Sequence, residues 1–358
     1  MTTSGSFGAE SNGFTTLTVD TNGTVLSYID TGVPESAPDT YTTIFAVHGF
    51  VYTSPIFQHV MNLAPAQGIR FVAINRRDYP GSTPLSATDH GVLANGTDSE
   101  KTAYLNARGI EIANFMYTFM QKFSIPSLSS DKKHGGFALL GWSLGNAITI
   151  AAVAAWDTLP ETVARRLKPH FKAFILHEPP FVALGTPVPP QHWSPAFDTT
   201  IPAHLRTHAF TQWITSYFKH GDLSTMDLSV LSWVLPATVK PPSIYNMSPE
   251  DMATIVWEAS SDYDILFMLN FMPQFLTQYH KALFDNGTRQ FWQNMDIWAL
   301  CGDVTCSTMI PAFWDIQKEN TARGGNLVKI KSITGVNHFM HWDFPRTAFQ
   351  AYLEGVGR

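Results

Sequence analysis

Apolar and polar positions change their period several times along the chain, and each change predicts an element. Phe14 to Val19 and Val25 to Asp30 are β-rich or alternating runs on either side of Asn22-Gly23, a dipeptide suited to a tight hairpin turn. Thr43 to Val47 and Ile69 to Ile74 are short apolar runs of the kind that form strands buried on both faces. From Asp98 to Phe123 the apolar residues fall at helical spacing without a proline, which predicts one long helix. A strand ending at Gly141 follows, then a helix from Leu144 and a strand from Phe171 to Leu176. Strands alternating with helices predict a mostly parallel sheet covered on both faces.

The alternation then stops. From about 180 to 272 the chain is dense in Trp, Phe, Tyr, Met and Pro, with Trp193, Trp213, Trp233 and Trp257 in helical stretches. It resumes with a strand at Ile297 to Leu300, a helix at Met309 to Ile316, a strand at Leu327 to Ile333 and a helix at Arg346 to Leu353. The expected organisation is a single α/β domain, its core at about 14–179 and 273–358, carrying a mainly helical cap at about 180–272. The small polar residues 1–13 are expected to fray.

Composition narrows the classes. Of 358 residues, 44% are hydrophobic and 15% charged, which suits a large apolar interior. A net charge of −6 gives no basic footprint for nucleic acid or anionic lipid. The N-terminal stretch has neither the basic nor the apolar region of a signal peptide, and no apolar run approaches the ~18 residues that span a bilayer. A cytoplasmic protein is the expectation. Cys301 and Cys306 are too few for a disulfide framework, and the sequons at Asn22, Asn95, Asn246 and Asn286 read as unmodified turns.

The stretch Ala138 to Ala147, ALLGWSLGNA, supplies the chemistry. It is strand, sharp turn and helix around G-x-S-x-G, whose glycines leave room for the Ser143 hydroxyl to stand at the apex. Three further strand ends carry reactive or motif residues: His48-Gly49-Phe50, Cys301-Gly302-Asp303 and Gly335-Val336-Asn337-His338. Catalysts of open α/β sheets sit at such ends, and the order Ser, Asp, His is the one associated with this kind of turn. His341 competes locally with His338. Backbone N–H groups are needed to hold a developing oxyanion, and Leu144, next after the nucleophile, supplies one.

With HGF, NRRDYPGST, GWSLGN, HEPP, the Asp303 strand end and GVNHFMHWDFP, the sequence resembles the α/β-hydrolase superfamily in its cap-bearing esterase and epoxide-hydrolase-like branch. The resemblance covers nearly everything outside the cap. It departs at Asn75, where the NRRDYPGST loop has an acid in the family, and at Asn146, where a second glycine often follows the elbow. It implies Ser143 as nucleophile, His338 as base, and Asp303 as acid with Glu178 as the alternative. Phe50 becomes the second oxyanion donor, with Val51 as the alternative. It also casts His48 as structural and Arg76 and Arg77 as salt-bridge residues. Serine in place of the aspartate of epoxide hydrolases implies acyl transfer.

The aromatic cap implies a largely apolar pocket, so the expected substrate is a medium-sized apolar ester or lactone cleaved through an acyl-enzyme. No metal-ligand spacing or dinucleotide fingerprint is present, and no cofactor is expected. Two other readings stay open: non-hydrolytic use of the triad, such as C–C bond cleavage or hydroxynitrile-lyase chemistry, and a hydrolase-fold ligand receptor.

Overall fold

The computed structural model describes residues 14–358; the readings of residues 1–13, as a fraying segment without a leader, fall outside them. Eight strands form one sheet: β1 (Thr15–Thr18), β2 (Val25–Asp30), β3 (Thr42–Val47), β4 (Ile69–Ile74), β5 (Phe137–Trp142), β6 (Phe171–His177), β7 (Asp296–Gly302) and β8 (Lys329–Ile333). Their spatial order is β1-β2-β4-β3-β5-β6-β7-β8. β2 runs antiparallel to β1 and β4, and every other pairing is parallel. The sheet is therefore mostly parallel, with helices on its faces.

Burial explains the sequence pattern. β3, β4, β5 and β6 are buried at every residue, which is why they read as unbroken apolar runs, whereas the edge strand β8 is largely exposed or half-buried. The long helix runs Asp98–Phe123, opened by a capping box in which Thr97 and Glu100 satisfy one another's backbone N–H groups. Helix Gly145–Ala154 is buried along its whole length, so apart from Asn146 and Thr149 its composition is apolar rather than amphipathic.

Between β6 and β7 the chain forms helices, short 3₁₀ turns and loops. One isolated antiparallel bridge, Tyr52 to Val256, ties this insertion to the loop after β3. Asn286, read as a turn, opens the helix Asn286–Phe291. Cys301 and Cys306 are buried free thiols. Among the described residues no helix is long and apolar enough to cross a membrane.

Candidate active site

The parallel register gathers the predicted strand ends. Val47 pairs with Gly141, Trp142 with His177, His177 with Leu300 and Gly302 with Ile333, so the segments that follow β3, β5, β6, β7 and β8 emerge along one edge. Ser143 comes first after β5 and adopts a left-handed backbone, φ 54°. That conformation costs a non-glycine residue of order 1–3 kcal/mol and persists where the surroundings over-determine it. Here they do. Ser143 N–H donates to His177 O at 3.1 Å, Asn146 N–H donates to Ser143 O at 3.0 Å, and Asn146 Nδ2 donates to Ser143 O and His177 O at 2.8 and 3.2 Å. Asn146, a departure from the resemblance, thus laces the elbow to the end of β6.

The glycines are required by contact. A Cβ on Gly145 would lie 2.4 Å from Val47 O, and one on Gly49 would lie 2.7 Å from Ser143 Cβ. Neither contact is sterically possible without moving backbone or nucleophile.

The carboxylate beside His338 is the main difference from the sequence reading. His338 Nδ1 lies 2.7 Å from Glu178 Oε2, both side chains almost completely buried. Glu178 Oε1 accepts from Gly302 N–H at 2.5 Å, and Oε2 also accepts from the Thr305 hydroxyl at 2.6 Å. Asp303, the first choice, points away: its Oδ1 accepts from Gly335 N–H at 2.6 Å and caps the turn after β8. Its own N–H bonds to Ile333 O, which commits the residue to that turn. The loop after β7 therefore donates N–H and O–H groups to a carboxylate from the end of β6 instead of supplying one. Glu178 also has a left-handed backbone, φ 50°, as do Ser143 and, in the loop after β3, Val51 at φ 56°.

With Nδ1 engaged by Glu178, Nε2 is the imidazole nitrogen left for a hydroxyl. Among the described residues Ser143 Oγ has no hydrogen-bond partner; such contacts often tighten only around a bound substrate. The Trp142 indole fixes the His338 loop by donating to His338 O at 3.1 Å. His341, the competing histidine, is wholly buried beside Trp142 and Phe57 and neither ring nitrogen has a partner. Burial holds its pKa well below the usual range, and no carboxylate orients it.

Three histidine, asparagine and arginine positions organise the loop opposite. His48 Nδ1 donates to Gly49 O at 3.0 Å while its Nε2 accepts from Arg76 N–H at 3.1 Å, so the ring is a neutral brace. Burial and the nearby Arg76 cation keep it neutral. Asn75 accepts from Ser54 N–H at 2.7 Å and donates to Ser27 Oγ and Pro80 O, both at 3.0 Å. A carboxylate cannot make the last two bonds as a donor, which accounts for the second departure. Arg76 pairs with Asp264 and Arg77 with Glu111, both as salt bridges.

The oxyanion candidates separate as well. Val51 N–H donates to Tyr79 Oη at 3.0 Å and is committed. The N–H groups of Phe50 and Leu144 have no acceptor among the described residues. Both residues, with Ser143, line a small cavity of about 40 Å³ whose other walls come largely from the segment between β6 and β7, including Phe210, Trp213 and Met268. None of its lining residues is charged.

No family model and no curated protein matches the sequence. Solved structures do. The chain is similar to a thioesterase domain from the curacin biosynthetic pathway, at 16% identity and TM-score 0.51, over 96% of this chain and 99% of that one. It has the α/β-hydrolase fold. A candidate aryl esterase from Burkholderia cenocepacia is similar at 13% identity and TM-score 0.51, over 96% of this chain and 98% of the other. At such identities the likeness is one of fold, and the chemistry rests on the side chains.

Within the α/β-hydrolase fold, the sequence did not reveal Thr305, which donates to Glu178, nor Tyr79 and Asp264, which fix the loop bearing Phe50 and Val51. Asp264 lies 188 positions from Arg76, and no local pattern signals such a pair. Among the described residues no cluster of three potential metal ligands occurs.

Proposed function

We propose that the protein is a serine hydrolase that cleaves an uncharged, medium-sized, largely apolar ester or lactone through an acyl-enzyme. The observation that carries this reading is the buried His338–Glu178 pair, tied through the Trp142 indole to the elbow of Ser143, which itself lines a cavity without charged walls.

Each group has a role. Ser143 Oγ attacks the scissile carbonyl while His338 Nε2 takes its proton. Glu178 keeps the imidazole proton on Nδ1 and stabilises the imidazolium that forms. The oxyanion is held by the N–H groups of Leu144 and Phe50, each such donor contributing on the order of 10²–10³ in rate. His338 then protonates the departing alkoxide, and the same groups activate water to release the acid. Residues 180–272 act as the cap that supplies the apolar walls of the cavity.

The test is covalent labelling with a fluorophosphonate together with turnover of p-nitrophenyl esters and lactones, comparing wild type with Ser143→Ala. Labelling and turnover should both vanish in the variant, with residual rate down by at least ~10³. Unchanged turnover by Ser143→Ala would overturn the reading. Labelling without any ester or lactone turnover would transfer the site to lyase, C–C bond or receptor use.

A further inference from the structure

The cavity at Ser143 has three polar wall residues that the acyl-transfer machinery does not use: His192, Ser194 and Thr308. His192 belongs to the insertion and lines the cavity with Ser143. Its ring stands edge-on to Phe181 at 4.9 Å between centroids, and its backbone N–H donates to Pro189 O at 2.9 Å, so packing and a turn both fix it. Ser194 Oγ accepts from Ala196 N–H at 3.4 Å, and Thr308 Oγ1 accepts from the Cys306 thiol at 3.3 Å. The His192 ring makes no hydrogen bond among the described residues. Its Nδ1 is sealed from solvent without a hydrogen bond, and Nε2 bonds to no described residue.

Burial pushes the imidazole down to about 4, so at neutral pH the ring is uncharged and carries one proton. With its proton on Nε2 the ring keeps no N–H sealed without an acceptor, and in that tautomer His192 offers one neutral donor. A neutral donor among uncharged walls suits an uncharged oxygen. It gives no compensation for desolvating a carboxylate or phosphate.

We propose that His192 Nε2–H binds a second oxygen of the substrate, so that the preferred ester carries an oxo, hydroxyl or ether oxygen in addition to its scissile carbonyl. This rests on the serine-hydrolase reading for the reaction, though not for the binding. A site built to donate to an oxygen rejects analogues that lack it, because the donor is then left unpaired.

The test compares p-nitrophenyl hexanoate with its 3-, 4- and 5-oxo derivatives on wild type, His192→Phe and His192→Gln. Wild type should prefer at least one oxo ester. His192→Phe should cut that preference, as a ratio of kcat/KM values, by about 5- to 20-fold, and His192→Gln should keep it within about threefold. Calorimetric titration of the same esters into Ser143→Ala and Ser143→Ala/His192→Phe reads binding without turnover. Esters cleaved with no oxo preference, or a preference untouched by His192→Phe, would overturn the proposal and leave the hydrolase reading standing. His192-dependent binding with no turnover by wild type would support the proposal and defeat the hydrolase reading. Neither turnover nor His192-dependent binding would defeat both.

Discussion

At the residue scale the decisive fact is where two carboxylates point. Glu178 and Asp303 both follow a strand at the same edge of the sheet, and a sequence shows position rather than direction. Direction is set by the neighbours: Gly302 N–H and Thr305 Oγ turn toward Glu178, while Gly335 N–H takes Asp303. Glu178→Gln should therefore lower kcat by ~10³–10⁴, the loss expected when an imidazole is held in the wrong tautomer. Asp303→Asn keeps an acceptor for Gly335 N–H and should stay within about threefold of wild type. Steady-state kinetics of both variants on one ester decide the matter, and a large loss in Asp303→Asn alone would restore Asp303. Ser143 stands out in the sequence because its strand–turn–helix motif is local. Which carboxylate meets His338 was legible only as a pair of alternatives, because Glu178 lies 160 residues from that histidine.

At the element scale the elbow depends on the helix behind it. The strand–turn–helix order could be read directly, since β5 is uniformly apolar and Gly145–Ala154 is mostly apolar and rich in alanine. The work of Asn146 was not legible. In sequence it is a missing glycine; in the fold its amide donates to two buried carbonyls, Ser143 O and His177 O. Asn146→Ala removes both bonds and should destabilise the protein by about 1–3 kcal/mol in urea unfolding. Because Ser143 is held left-handed partly by these contacts, kcat should fall as well, whereas KM for a short ester should change little. Stability loss with wild-type kcat would mean that Asn146 braces the fold and not the nucleophile. The length of the long helix needed no tertiary information, because Thr97 and Glu100 form its cap and the αL residue Ser124 stands just past its end.

At the scale of the whole molecule, two properties arise from groups buried far apart in sequence. His48, His177 and His341 are wholly buried, and burial holds each pKa well below 6.5. The unfolded chain binds a proton at each near pH 6.5 while the native state does not, so their contribution to stability is present above that pH and is lost as pH falls below it. Each costs about 1.4 kcal/mol per pH unit in that range, or about 4 kcal/mol per unit together. The urea midpoint should therefore drop steeply between pH 6.5 and 5, and a flat profile would show that the three rings are protonated in the native state. The second property is attachment of the insertion. The sheet could be read from alternation and the insertion from its interruption, but not how the two are joined. Arg76 in the loop after β4 meets Asp264 of the helix Ser261–Asn270 through two bonds of 2.6 and 2.9 Å, and Tyr79 Oη donates to the same carboxylate at 2.6 Å. Tyr79 Oη also receives Val51 N–H, so the pair that docks the insertion steadies the loop bearing Phe50. Asp264→Asn leaves the Arg76 cation buried without a counter-charge and should cost about 3–5 kcal/mol. Arg76→Met/Asp264→Leu removes both charges and should cost markedly less than Asp264→Asn alone. Equilibrium unfolding of the two variants measures this difference, and p-nitrophenyl ester kinetics should show the larger kcat loss in Asp264→Asn. Equal destabilisation would mean that the charges themselves, rather than their balance, hold the insertion against the sheet.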